Sequence, residues 1–204
     1  MTKAIPILEF ETRDSTLPQF WTDRFDHGFM PWDRGGVPAA LLQFVAQSPR
    51  PLTTLIPGCG AGYEVALLGE AGWPVTAIDF SPAAVAAARV VLGPWASCVL
   101  EADFFGYTPP QALDFIYERA FLCALPREKW PQIVQRWADL LPSGGLLAGF
   151  FFYDGGRRGP PFGAEQTSLH AMLAPHFSLV DDQSVADSIA AFAGKERWQA
   201  WRRI

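Results

Sequence analysis

The stretch Leu52-Thr-Thr-Leu-Ile-Pro-Gly58-Cys-Gly60-Ala-Gly62-Tyr63-Glu-Val-Ala-Leu-Leu-Gly-Glu-Ala-Gly72-Trp-Pro-Val75-Thr-Ala-Ile-Asp79 decides the fold. It opens with a short apolar run, Thr53–Ile56, that reads as a buried strand. Three glycines follow at alternate positions, where the backbone must turn sharply and a ligand can approach bare main chain. Tyr63–Ala71 has helical character and stops at Gly72, a residue suited to a left-handed C-terminal cap. Val75–Ile78 is a second strand, and Asp79 closes it. A strand, a glycine turn, a helix whose N-terminal N–H groups face that turn, and an acid at the next strand end form a nucleoside-binding arrangement.

The spacing narrows the ligand. A dinucleotide loop requires Gly-x-Gly-x-x-Gly, with the third glycine allowing the helix to lie close to the strand. Here the pattern is Gly58-x-Gly60-x-Gly62, and Tyr63 occupies the position of that third glycine. No Lys-Ser/Thr pair follows, which excludes the phosphate cradle of nucleotide triphosphatases. S-adenosylmethionine carries no phosphate; it needs a backbone shelf for its methionine part and an acid for its ribose diol. Asp79 is that acid. The plainer alternatives are an ordinary strand–helix turn, with Asp79 capping the turn before Ser81, and an NAD-dependent oxidoreductase.

Outward from this core the chain alternates strands and helices. Ser81-Pro82 opens a helix over Ala83–Val91 with a capping hydroxyl and a first-turn proline. Strands are expected at Cys98–Glu101, Leu113–Tyr117 and Leu146–Phe152, with a helix from Pro131 that stops before Pro142. A helix near Glu165–Leu173 and strands near Ser178–Val180 and Trp198–Arg202 complete seven strands. Upstream, Leu17–Phe25 reads as a short aromatic helix, Pro31–Gly36 as a loop, and Pro38–Gln47 as a helix with proline in its first turn. The expectation is an α/β, Rossmann-like fold: a doubly wound, mostly parallel seven-stranded sheet with helices on both faces and an N-terminal helical lid. Residues 1–16 are expected to be a flexible arm and 17–204 a single domain.

In such sheets ligands sit beyond the carboxyl ends of the strands. Gly58, Gly60 and Gly62, Asp79, Asp103 and Glu118-Arg119 all fall there. Asp103 suits the adenine amino group, with Phe104 against the ring; a turn acid among core aromatics is the equal alternative. Trp21, Phe25 and Trp32 form an aromatic group able to face a sulfonium by cation–π contact, or simply to dock the N-terminal helix. Arg119 suits an anionic or thiolate acceptor, or else a surface ion pair with Glu118 or another acid. His27, His170 and His176 stand in no pattern with an acid or serine, and Cys59 has no base beside it in sequence.

Bulk properties remove other classes. With 204 residues and a net charge of -5, the chain has no basic footprint for nucleic acid. The longest apolar run, Leu146 to Tyr153, is too short to span a membrane. Three cysteines without CxxC spacing suit reduced thiols in a cytoplasm, and no metal site is visible. A small-molecule acceptor, no membrane partner, and a monomer or weak homodimer are expected.

Taken together, Phe20-Trp21-Thr-Asp-Arg24-Phe25, Pro31-Trp32-Asp33-Arg34-Gly35, Ile56-Pro57-Gly58-Cys59-Gly60, Ile78-Asp79-Phe80-Ser81, Tyr117-Glu118-Arg119-Ala120 and Gly159-Pro160-Pro161-Phe162 resemble the thiopurine S-methyltransferase family and its thiol and halide methyltransferase relatives. The pieces run in order over nearly the whole chain. The resemblance implies a class I methyltransferase with S-adenosylmethionine as donor and S-adenosylhomocysteine as product. It carries cofactor contacts onto Trp21 to Trp32, Gly58, Asp79, Ala102-Asp103 and Arg119, and places Trp32 beside the acceptor. The family often has tryptophan where this chain has Phe25. The Pro-Trp-Asp loop is similar to the thiol and halide branch, and Glu-Arg-Ala to the thiopurine branch. A thiol is the expected acceptor; a small-molecule O-methyltransferase and a non-catalytic binding module are the other readings.

Overall fold

The computed structural model describes residues 12–156 and 158–204. Seven strands form one sheet in the order β3-β2-β1-β4-β5-β7-β6. They are β1 Thr54–Pro57, β2 Val75–Asp79, β3 Val99–Glu101, β4 Phe115–Arg119, β5 Leu146–Phe152, β6 Phe177–Ser184 and β7 Glu196–Arg203. Strands β1 to β5 pair in parallel, while β7 runs antiparallel to both β5 and β6. The expected α/β, mostly parallel sheet is therefore the observed one.

Two apolar layers cover it. Helices α2 Ala39–Gln47, α3 Tyr63–Glu70 and α4 Pro82–Leu92 bury Leu41, Leu68 and Val85 against Ile56, Phe115 and Trp198. On the opposite face, α5 Trp130–Leu140 and α6 Gln166–Leu173 bury Trp137, Ile133 and Leu169 against Ile116, Leu147 and Phe151. Near-continuous burial along β1, β4 and β5 matches central parallel strands covered on both sides.

Several boundaries follow from local chemistry. Ser81 Oγ accepts from Ala84 N at 3.2 Å and starts α4 with Pro82 in its first turn. Gly72 adopts φ 75 just past α3. Pro38 is not in the first turn of α2: it is the extended N-cap residue, φ -69 and ψ 148, and Ala39 begins the helix. Strand β4 lies two residues beyond its expected span, because Glu118 is 1% exposed and belongs to the sheet despite its charge. Strand β6 is longer than expected; it is an edge strand, where polar Asp181 and Asp182 are tolerated, and its register slips between Leu179 and Asp181.

The first eleven residues of the expected arm lie outside the described residues. Within its last part, Ser15 is 2% exposed and its carbonyl accepts the Trp21 indole N–H at 2.9 Å. Helix α1 Pro18–Asp26 is anchored above the β2–α4 turn, where Thr22 Oγ1 lies 2.9 Å from Ser81 Oγ. Among the described residues no helix is long and apolar enough to cross a membrane.

Candidate active site

Strand β1 delivers the chain to Gly58, Gly60 and Gly62, with φ 58, 53 and 69. These left-handed values suit glycine and strain other residues. At Gly58 a Cβ would also stand 2.6 Å from the Phe121 ring. Gly62 then becomes the N-cap of α3. The loop is fixed from beneath: Asp79 Oδ2 accepts from Gly60 N at 3.1 Å and Oδ1 from Ser81 N at 2.9 Å. Burial pushes the Asp79 carboxyl up, and the N–H groups of Ser81, Gly60 and Phe80 pull it back toward the ionised form. Each carboxylate oxygen has a second lone pair, so this arrangement leaves acceptor capacity for a ligand hydroxyl.

The loop, α1, the 31–36 loop and the ends of β2, β3 and β4 enclose a cavity of about 1440 Å³. That exceeds the usual range of about 300–1,000 Å³ for one ligand and leaves room for two molecules side by side. Gly58, Gly60, Asp79, Ala102, Asp103, Phe104, Arg119, Trp21, Phe25 and Trp32 all line it. Asp103 Oδ1 accepts from Phe105 N at 3.1 Å, in a turn beyond β3 rather than at the strand end. Ala102 N donates to Asp79 O at 2.9 Å. Phe104 is 4% exposed and sits edge-on to Phe121, with 4.9 Å between ring centres.

The aromatic group meets in space. Trp32 stands edge-on to Trp21 at 5.3 Å and to Phe25 at 6.2 Å. It also packs against the cluster of Cys123, Phe152 and Phe192. The 31–36 loop is tied at its middle: Tyr63 Oη donates to Asp33 Oδ2 at 3.1 Å, and Arg34 Nη1 donates to Asp187 Oδ2 at 2.8 Å. Asp187 sits in the β6–β7 connection, which also brings Ala191 and Phe192 into the cavity wall.

Arg119 reaches the cavity from the end of β4 with its guanidinium carbon 4.3 Å from the centre of the Phe150 ring. Both terminal nitrogens, Nη1 and Nη2, are buried and have no hydrogen-bond partner among the described residues. The surface pair with Glu118 is absent: Glu118 turns away and accepts from Leu122 N at 3.0 Å through Oε1. Burial raises the Glu118 carboxyl to about 8, so it is largely neutral at neutral pH. A buried donor left unpaired is costly, and a cationic one more so. Arg119 as a residue lines the cavity, and a cation in a cavity wall is suited to an anion.

The wall includes residues outside the sequence expectation, among them Phe192, Ala191 and Glu64. Phe192 and Ala191 reach the cavity from a remote connection with no local motif. Glu64, in the first turn of α3, reads in sequence as an ordinary helix acid, yet it is 7% exposed and lines the cavity. Among the described residues no cluster of three or more His, Cys, Asp or Glu groups suits a metal. His170 packs edge-on to Trp201 at 4.9 Å, away from the cavity. Cys59 and Cys123 are held far above the usual thiol range by burial.

With this geometry in view, the model of the family described as thiopurine S-methyltransferase matches residues 16–203. The chain belongs to the thiopurine S-methyltransferase family. A relative from Brassica oleracea, thiocyanate methyltransferase 1, is 29% identical, covering 90% of this chain and 84% of its own length. Probable thiol methyltransferase 2 of Arabidopsis thaliana is 27% identical over the same shares. The structure of Burkholderia thailandensis 1,6-didemethyltoxoflavin-N1-methyltransferase, solved with S-adenosylhomocysteine, superposes with a TM-score of 0.75 at 19% identity, covering 98% of this chain and 92% of that one. The protein is an S-adenosylmethionine-dependent methyltransferase with a Rossmann-like sheet.

Proposed function

We propose that this enzyme methylates sulfur nucleophiles and related soft anions: thiols, bisulfide, thiocyanate or halide. Arg119, a cation in the cavity wall whose two terminal nitrogens have no partner among the described residues, carries this reading. The relatives named for thiocyanate and thiol methylation support it.

The cavity fits the methyl donor. Gly58 turns the loop through a left-handed conformation that suits glycine, and Asp79 at the end of β2 supports the reading of a ribose acceptor. In this reading the glycine loop takes the methionine part, Asp79 the ribose, and Ala102, Asp103 and Phe104 the adenine. The donor supplies an activated methyl group on a sulfonium. Trp21, Phe25 and Trp32 present ring faces and edges to that cation and keep water out. The N-terminal helix and the 31–36 loop act as the lid.

Transfer of an already activated methyl group asks mainly for alignment, which supplies about 7–11 kcal/mol in favourable cases. Arg119 holds the acceptor anion, and Trp32, braced by Phe192, flanks it. Replacing Arg119 by alanine is expected to lower kcat/KM for thiocyanate by at least about tenfold more than it weakens S-adenosylhomocysteine binding. Equal losses in both would contradict an acceptor role for Arg119.

A further inference from the structure

Thiocyanate and iodide arrive as anions, but an alkyl thiol arrives protonated. With a pKa of about 8.5 it is only a few per cent thiolate at neutral pH. A site that methylates such thiols efficiently therefore needs somewhere for the proton to go. His170 is not a wall residue of the cavity, Asp33 accepts from Tyr63 Oη and Gly35 N, Asp79 and Asp103 are assigned to ribose and adenine in the reading above, and Glu101 is exposed.

Glu64 remains. It lines the cavity while being 7% exposed, one residue into the helix that follows the glycine loop. Arg119 lines the same cavity, and its charge acts on Glu64. The two do not form an ion pair: the pairs within 4 Å among the described residues are Arg34–Asp187, Arg50–Asp114, Lys195–Asp154 and Arg197–Asp182. An acid and a cation thus share one cavity without closing on each other, and the terminal nitrogens of the cation are unpartnered.

We infer that Glu64 is the general base for protonated thiol acceptors, with Arg119 receiving the thiolate it creates. This rests on the sulfur-methylation reading above. The S–H bond breaks, its proton forms an O–H bond on Glu64, and the electron pair stays on sulfur beside Arg119. The thiolate then forms a bond to the methyl carbon. The carbon–sulfur bond of the donor breaks with its electron pair on the departing sulfur, which leaves as a neutral thioether. Glu64 returns its proton to water when products leave.

The electrostatics match the task. Burial raises the Glu64 carboxyl above its ordinary value, making it a better proton acceptor, and the Arg119 charge works in the opposite direction to keep it ionised. The other groups facing it are Tyr117 on β4, Asp33 of the 31–36 loop, and Cys59 and Tyr63 of the glycine loop and helix start. Burial holds the Tyr117 hydroxyl and the Cys59 thiol protonated, well above their usual ranges, so neither competes for the thiol proton.

The test compares benzyl mercaptan with iodide in wild type and Glu64→Gln, with S-adenosylhomocysteine calorimetry as a check of folding and cofactor binding. The ratio of kcat/KM for the thiol to kcat/KM for iodide is expected to fall at least about a hundredfold in the variant, within the range for loss of a general base. The variant's thiol profile is expected to rise about tenfold per pH unit, tracking free thiolate, while the wild-type profile flattens once Glu64 is ionised. An unchanged ratio overturns the proposal and leaves sulfur methylation standing. A wild type that methylates neither compound overturns both. A Glu64→Asp variant that recovers part of the ratio supports proton transfer over packing.

Discussion

Glu118 offers a sharp test of how the sheet supports the site. It sits in β4 next to Arg119, is 1% exposed, and has one carboxyl oxygen on Leu122 N and the other without a partner. Burial lifts its pKa from 4.5 to about 8. The folded chain therefore keeps a proton that the unfolded chain releases over that interval. Stability contributed by Glu118 is fully present below about pH 4.5 and is lost as pH rises to about 8. At about 1.4 kcal/mol per pH unit, the rise corresponds to a loss of about 5 kcal/mol across the window. Glu118→Gln keeps the acceptor oxygen for Leu122 N and carries no titratable proton. Measured against a Glu118 that stays protonated, urea unfolding is expected to show the variant ahead by about 1.4 kcal/mol near pH 5.5 and by about 5 kcal/mol near pH 8.5. Glu64 and Asp79, also raised by burial, act in the same direction in both proteins and cancel in the difference. Parallel stability curves would refute the picture of a neutral Glu118.

Other perturbations read other joints of the structure. Asp79→Ala leaves Gly60 N and Ser81 N without their acceptor and removes the ribose ligand, so S-adenosylhomocysteine affinity is expected to fall at least about tenfold by calorimetry. An unchanged dissociation constant would remove Asp79 from the cofactor site. Gly149→Ala would place a Cβ 1.8 Å from the Glu118 carbonyl oxygen, in the β4–β5 pairing that holds Arg119. Chemical denaturation is expected to show a loss above about 3 kcal/mol; a loss below about 1 kcal/mol would mean that the two strands part freely.

Local chemistry made much of the frame legible. The β1–glycine loop–α3–β2 unit declares itself through an apolar run, three glycines and a closing acid. Leu146–Phe152 shows all of β5 because a central strand covered on both faces is almost purely apolar. Where burial and polarity part company, the pattern is silent. Glu118 and Arg119 extend β4 although both are ionisable side chains, and their place depends on a raised pKa and a ring contact that no periodicity records. The antiparallel direction of β7 is set by its pairing with β5, a long-range fact. The same holds at the site. Gly58, Asp79 and Arg119 stand at predictable strand ends, whereas Phe192 arrives from a distant connection held by Arg34 and Asp187. Glu64 carries no mark in sequence that separates it from any first-turn helix acid; only its burial beside Arg119 distinguishes it.

The central claim is methyl transfer from S-adenosylmethionine to a sulfur nucleophile or soft anion. The direct measurement is S-adenosylhomocysteine release when the purified protein meets S-adenosylmethionine with aromatic and heterocyclic thiols, bisulfide, thiocyanate, iodide, a catechol and selenite, each tested separately. Release with the sulfur compounds and iodide, matched by methylated product and reduced in Asp79→Ala, is the predicted result. Release confined to the catechol, or tight S-adenosylhomocysteine binding with no turnover of any acceptor, would contradict it.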